Sequence, residues 1–383
     1  MEDMGMTADL LDLSALRGKK VLLTGHTGFK GAWLAIWLDL LGAEVVGLAL
    51  DPDDGAGYAG IFTASGIGAR LRDYRQDIRD LDGLLAVFAA EQPEVVFHLA
   101  AQAIVLESYA QPAATFAVNT QGTVNVLEAI RQTPSVRAAV MVTTDKCYEN
   151  KEWVHGYRED DPMGGHDPYS ASKGAAEIAI SAYRRSFFAK KGANIEIASA
   201  RAGNVIGGGD WSAKRLVPDI LRAIERDQIL EIRSPEAVRP WQHVLEPLGG
   251  YLVLADRLLR EAGVYADAWN FGPQPGNVLP VRAMADAFFQ YFERGQWKDV
   301  STPGQPHEAG LLMLEINKAV HRLGWRPVLD FYETIEMTAD WYARYRETDV
   351  LQLCRDQIAQ YNELWKSRNG NSPVFSRSAS PLT

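Results

Sequence analysis

Apolar and polar positions along this chain follow two rhythms. Short β-branched runs recur, and most are followed by a longer stretch in which apolar residues return every three or four positions. The first pattern predicts buried strands and the second amphipathic helices. Val21-Leu22-Leu23-Thr24 reads as a strand leading into a helix through Trp33 to Leu41, with Val45 to Leu50 as the next strand. Leu81 to Ala90 is expected as helix, Val95 to Leu99 as strand, Thr115 to Arg131 as helix and Ala139 to Thr143 as strand. A long helix from Ser170 to Lys190 and a strand from Ile195 to Ala200 continue the series. Such alternation builds a doubly wound α/β fold, a mostly parallel sheet with helices on both faces.

After Arg201 the alternation loosens into turn-rich segments such as Gly207-Gly208-Gly209-Asp210. The expected organisation is a sheet domain over 17–206, with 239–273 partly returning to it through Trp269-Asn270-Phe271-Gly272. A smaller C-terminal lobe over 207–238 and 274–366 would bind substrate. Residues 1–16 and the Ser/Pro/Asn/Gly-rich stretch 367–383 are expected to be loosely held. At 383 residues, one small core is not enough for the chain. The 49 acids outweigh the 39 bases, which argues against nucleic-acid and anionic-membrane partners, since those require a basic face. Two cysteines, Cys147 and Cys354, cannot form a disulfide framework, and no His/Cys/carboxylate spacing suggests a metal. The acidic start carries no signal-peptide pattern and no run reaches membrane-spanning length, so a cytoplasmic enzyme is expected.

The candidate chemistry begins where the first strand ends. Gly25-His26-Thr27-Gly28-Phe29-Lys30-Gly31 spaces its glycines G-x-x-G-x-x-G, allowing a tight turn and close backbone approach to a pyrophosphate at a helix N-terminus. Asp51, about 20 residues beyond Gly31, either holds the adenosine ribose or caps the turn Asp51-Pro52-Asp53-Asp54. No Arg or Lys follows directly at that strand end to meet a 2′-phosphate, which favours NAD over NADP.

Asp167-Pro168-Tyr169-Ser170-Ala171-Ser172-Lys173 opens a helix on which Tyr169 and Lys173 share one face. A lysine ammonium beside a phenol favours the phenolate, so Tyr169 is expected to be an acid/base with a lowered pKa. Upstream, Thr144-Asp145-Lys146 closes a strand, and strand carboxyl ends form the reaction crevice of a parallel sheet. Hydroxyl, carboxylate and ammonium should therefore converge on Tyr169.

Together the glycine turn, Leu99-Ala100-Ala101-Gln102, Asn119, Thr144, Tyr169 and Lys173 resemble the extended short-chain dehydrogenase/reductases that act on nucleotide sugars. The resemblance runs from Lys19 to Trp341 and implies a Rossmann-type sheet. Three further stretches narrow it: Thr144-Asp145-Lys146-Cys147-Tyr148, the run from Arg201 to Trp211, and Arg239-Pro240-Trp241-Gln242-His243-Val244. With the glycine turn, these are similar to the CDP-glucose 4,6-dehydratase branch, in which Lys146 stands where dTDP-glucose enzymes carry a glutamate. The resemblance implies NAD held by Gly25, Thr27, Gly28, Phe29, Lys30, Gly31, Asp51, Asp77, Ile78, Leu99, Ala100, Ala101, Gln102, Asn119, Thr143, Tyr169 and Lys173. It also implies catalysis by Thr144, Asp145, Lys146, Tyr169 and Lys173. Asp145 would protonate the departing 6-hydroxyl, while Lys146 would either remove the C5 proton or stabilise the enolate.

A sugar nucleotide presents a pyrophosphate, which suits forked arginines: Arg201, Arg215 and Arg239 are candidates, each with the alternative of a surface ion pair. Asn204, Arg239, Trp241, His307 and Glu308 match the family's substrate side, with loop capping an equal alternative for the last two. Trp211 and Trp241 would wall the base pocket or fill core, and His98 is expected to be structural. The partner implied is CDP-glucose or a related nucleotide sugar. A homodimer or homotetramer would pair the helices at 115–131 and 170–190. A 4-epimerase needs the Thr/Tyr/Lys set but neither Asp145 nor Lys146, and a protein that merely binds NAD typically loses the Tyr–Lys pair.

Overall fold

The computed structural model describes residues 13–54, 57–189, 194–302 and 310–369. Of the expected loose ends at 1–16 and 367–383, residues 1–12 and 370–383 lie outside the described residues, as do His307 and Glu308. Residues 367–369, read as part of the loose tail, instead complete a helix from Val350, with Arg368 paired to Glu333 at 2.5 Å. Residues 13–16, read as part of the loose extension, are packed: Leu13 and Leu16 are buried, and the Ala15 amide donates to Asp256 at 3.0 Å.

Seven parallel strands form the central sheet: β1 (Lys20–Thr24), β2 (Glu44–Ala49), β3 (Arg72–Arg75), β4 (Val95–His98), β5 (Ala138–Val142), β6 (Glu196–Arg201) and β7 (Ala268–Asn270). Their order is β7-β6-β5-β4-β1-β2-β3, so the order in which successive strands are added reverses between β1 and β4. That reversal opens a crevice at the strands' carboxyl ends. Burial on both faces explains the near-continuous apolar runs of β1, β4 and β5.

One face is covered by α1 (Phe29–Leu40), where Trp33 and Trp37 are fully buried. The other carries α2 (Leu81–Glu91), α3 (Gly122–Arg131) and α4 (Pro168–Tyr183). Caps begin these helices where the sequence supplies them. The Asp80 side chain accepts the Gly83 amide at 3.1 Å, and Asp167 accepts the Ser170 amide at 2.9 Å ahead of Pro168. α3 is the end of a longer rod that starts at Pro112 and passes through a π-turn at Ala117–Gln121, and α4 continues through another at Arg184–Phe188.

Beyond β6 come α5 (Leu216–Glu225) and small paired strands, Val238–Pro240 with Val278–Pro280 and Leu230–Ile232 with Trp297–Asp299. α6 (Leu245–Arg260) leads back to β7, which pairs with β6 as the return of Trp269 and Asn270 requires. α7 (Val281–Phe292) and α8 (Phe331–Arg344) follow, the latter opened by an Asp330/Glu333 capping box. The final helix, α9 (Val350–Asn369), packs on α1 of the sheet half, with Tyr361 edge-on to Trp37 and Arg355 paired to Asp39 at 2.8 Å.

Candidate active site

The glycine turn works by space. A Cβ on Gly25, which has φ +76°, would lie 2.7 Å from the Ala100 amide, and one on Gly31 would lie 2.0 Å from the Gly25 carbonyl. The turn is thereby pressed against both β4's exit loop and α1. Gly28 is the N-cap of α1 and supplies no side chain to cover its first amides, as a bound pyrophosphate requires. This cradle fits a dinucleotide.

A cleft of about 780 Å³ runs from the turn across the sheet's carboxyl edge to the start of α5 and the strands around Leu230 and Arg239. Gly25, Thr27, Gly28, Phe29, Lys30, Gly31, Asp77, Ile78, Leu99, Ala100, Ala101 and Thr143 line its sheet side. Asp51 does not line it: its side chain is 89% exposed and pairs with Arg75 at 3.3 Å. Asp53 lines the cleft instead, because the chain turns after Leu50, whose carbonyl accepts the Thr27 hydroxyl at 3.0 Å. Arg75, on the neighbouring strand β3, corrects the expectation that no basic residue stands at this strand end; adjacency across the sheet is invisible in linear order. Gln102 and Asn119 also stay out of the cleft wall. They brace the loop after β4, the Gln102 amide donating to Asn119 at 2.9 Å and Asn119 donating onward to Ser172 at 2.9 Å. His98 is fixed between Thr24 and Thr123 at 2.7 and 3.1 Å.

Thr144, Asp145, Lys146, Tyr169 and Lys173 all line the middle of the cleft. A 3₁₀ turn at Asp145–Cys147, begun by Thr144, swings this run off the end of β5. Asp145 is 1% exposed and accepts from the Thr144 hydroxyl at 2.9 Å and the Asn204 amide at 3.2 Å. Room for its carboxylate comes from Gly203, where a Cβ would meet Asp145 Oδ2 at 2.0 Å. Burial pushes the Tyr169 phenol up to about 12, with a hydrogen bond from Thr144 pulling the other way. The lowered value expected beside Lys173 is thus not what the protein chain alone provides, because desolvation is the largest influence on the phenol. Burial also pulls Lys173 down to about 8, against the opposing charge of Glu177. Lys30 behaves in the same way, down to about 8 through burial and then the nearby Arg215.

From the segments after β6, Asn204, Arg215, Arg239 and Trp241 line the cleft. Arg215 is held by Asp210 at 2.9 Å, and Trp241 donates to the Leu279 carbonyl at 3.2 Å. Arg201 belongs elsewhere: it is 4% exposed in an ion pair with Glu177 at 2.8 Å, so it is not a phosphate ligand. Trp211 is also outside the cleft, stacked on Tyr58 at 4.1 Å between ring centroids. Sequence reading overlooked Asp219, Glu231, Arg233 and Ser234, which also line the cleft. They sit on a helix start, on a three-residue strand too short to carry a period, and in the bend just after it.

A family model described as the NAD dependent epimerase/dehydratase family matches residues 21–265. The chain is 44% identical over 92% of its length to the CDP-glucose 4,6-dehydratase of Salmonella typhimurium, covering 98% of that protein. It is 24% identical over 84% of its length to a dTDP-glucose 4,6-dehydratase of Xanthomonas campestris, covering 92% of it. In three dimensions it is similar to the dTDP-glucose 4,6-dehydratase of Streptomyces venezuelae solved with NAD bound. That likeness has TM-score 0.71 at 23% identity, over 85% of this chain and 98% of that one. A glycine cradle at the switch point, a Tyr–Lys helix facing it and these likenesses lead to one assignment: this chain belongs to the NAD-dependent epimerase/dehydratase family.

Proposed function

We propose that this protein is an NAD-dependent CDP-glucose 4,6-dehydratase. The observation that carries the reading is the sharing of one cleft by the Thr144-Asp145-Lys146 turn and the Tyr169–Lys173 pair. An epimerase has no use for a carboxylate and an amine beyond the Thr/Tyr/Lys set. The likeness to the Salmonella enzyme supports cytidine as the base.

NAD, when bound, would supply the hydride acceptor for C4 and the hydride donor for C6. It would be held by the glycine turn, Asp77, Ile78 and the Leu99–Ala101 loop, with Asp53 as the carboxylate at the adenosine end. Tyr169 accepts the proton of the glucose 4-hydroxyl, and Thr144 hydrogen-bonds the same oxygen. The resulting 4-ketone acidifies the C5 hydrogen. Lys146 removes that proton, and Asp145 gives a proton to the departing 6-hydroxyl, which leaves as water. C5 takes its proton back from Lys146 as the hydride returns to C6, and the proton held by Tyr169 makes good the one Asp145 gave up, so the sugar loses one water with no net change in the cofactor. Arg215 and Arg239 are assigned to the pyrophosphate, with Asn204 holding Asp145 toward the sugar.

The test is mass spectrometry of the products from CDP-, UDP-, dTDP- and GDP-glucose with NAD. Loss of one water from the CDP sugar is expected. A product of unchanged mass with inverted C4 would give the epimerase reading its place, and turnover of another nucleotide alone would remove the cytidine assignment.

We further infer self-association through the helical rods that contain α3 and α4, where Phe116 and Ile178 are 39% and 62% exposed. An Ile178→Asp variant that elutes at the wild-type size would sink this. No described helix is long and apolar enough to cross a membrane, and the two free cysteines, Cys147 and Cys354, suit a reducing cytoplasm.

A further inference from the structure

Glu177 lies one helical turn beyond Lys173 on α4, on the face that also carries Tyr169. Its side chain is 4% exposed and paired with Arg201, itself 4% exposed, at 2.8 Å. Thr143 donates its hydroxyl to the same carboxylate at 2.5 Å and Ser199 at 2.8 Å. Arg201 is tied down in turn, donating to the Tyr148 hydroxyl at 2.7 Å and the Glu159 carbonyl at 2.9 Å, while Tyr148 donates to Asn270 at 2.7 Å. The carboxylate is therefore immobile, and these bonds hold it in its ionised form.

A buried ion pair is poor value as a stabiliser, since apolar residues of like volume commonly do as well. This one stands directly behind the catalytic lysine. Its bonds go to Thr143, Ser199 and Arg201, so Glu177 reaches Lys173 through space. The charged and titratable groups facing Lys173 are Tyr169 and Glu177 on its own helix, Lys30 on α1, His98 on β4, and Cys147 after β5. Asp145, Lys146 and Arg215 share the cleft, and Arg201 lies behind Glu177 on β6. Burial disfavours the ammonium, and Glu177 is the foremost charge that favours it.

We propose that Glu177, locked by Arg201, Thr143 and Ser199, is a positioning residue that acts through Lys173. Its fixed negative charge keeps the lysine an ammonium at the pH where Tyr169 exchanges a proton with the sugar. The inference rests on the acid/base reading of Tyr169 and Lys173 above.

The test is the pH dependence of C4 oxidation, followed by NADH absorbance in single turnovers with CDP-glucose. Glu177→Gln removes the charge and leaves Arg201 unopposed. Its alkaline limb should move down by about one pH unit or more, which is roughly a tenfold loss of rate on that limb. Glu177→Asp should restore the wild-type limb, and Ser199→Ala, which removes a hydrogen bond and keeps the charge, should leave it in place. If Glu177→Gln does not fold, the neutral pair Glu177→Gln with Arg201→Gln takes its place and should move the limb in the same direction. An unmoved limb in a folded charge-deleted variant overturns the proposal while Tyr169→Phe is inactive. So does Ser199→Ala moving the limb as far. Full oxidation by Tyr169→Phe would instead overturn the reading beneath it.

Discussion

The active residues of this protein are separated by what their neighbours allow them to do. Tyr169 is buried enough that its phenol sits near 12, so its proton chemistry depends on the charges facing it. Tyr169→Phe should keep the fold and lose roughly two to four orders of magnitude in kcat, measured as product formation from CDP-glucose. At Asp145 the crucial neighbour is a glycine. Gly203→Ala drives a methyl into the carboxylate, so the water-loss step should fail while C4 oxidation persists. The expected sign is enzyme-bound NADH accumulating at 340 nm without 4-keto-6-deoxy product. If Lys146 is the C5 base, Lys146→Met should oxidise C4 yet exchange no deuterium into C5 from heavy water. Retained exchange would leave Lys146 with the enolate-stabilising role and shift the base assignment to another group. Tyr169, Lys173 and Thr144-Asp145-Lys146 were legible because spacing on a helix and a strand end implies position. Gly203 and Glu177 were not, since their importance comes entirely from contacts with distant segments.

Among the elements, the least conspicuous joint is the one that fastens α9 and the segment before α8 to α6. Glu246, at the start of α6, accepts the Val328 and Leu329 amides at 2.7 and 2.6 Å and the Tyr361 hydroxyl at 2.8 Å. Tyr361→Phe should lower stability by about 1 kcal/mol in urea melts, the value of one buried hydrogen bond. Burial raises the Glu246 carboxyl from 4.5 to about 7. With the folded value above the unfolded one, its contribution is whole below about pH 4.5 and fades as pH rises through 7. The wild type should therefore lose about 3 kcal/mol across that window through this group, a component absent from Glu246→Gln. A parallel pH profile in both proteins would contradict it. Strand β3 shows the opposite limit of reading elements from pattern. Its Arg72-Asp73-Tyr74-Arg75 carries no apolar run because it lies at the sheet edge, and it was missed for that reason.

For the molecule as a whole, ligands that bridge the sheet and the segments after β6 should tighten both. At about 100 times its Kd, CDP-glucose added to the NAD-bound protein should stabilise it by about 2.7 kcal/mol. UDP- and dTDP-glucose at the same concentration should do so less, read as thermal midpoints. The alternation of strand and helix determined the doubly wound sheet, the place of its crevice and the family of its chemistry. This information is local: periodicity, caps and glycine spacing act within a few residues of one another. Only the tertiary structure decided that Arg201 serves Glu177 and not a phosphate, that Asp53 and not Asp51 faces the cleft, and that Arg75 stands beside Asp51. It also decided that α9 closes over α1. Each of these depends on which strand lies next to which and on how deeply a charge is buried. Both are set by long-range packing, and neither leaves a period in the chain.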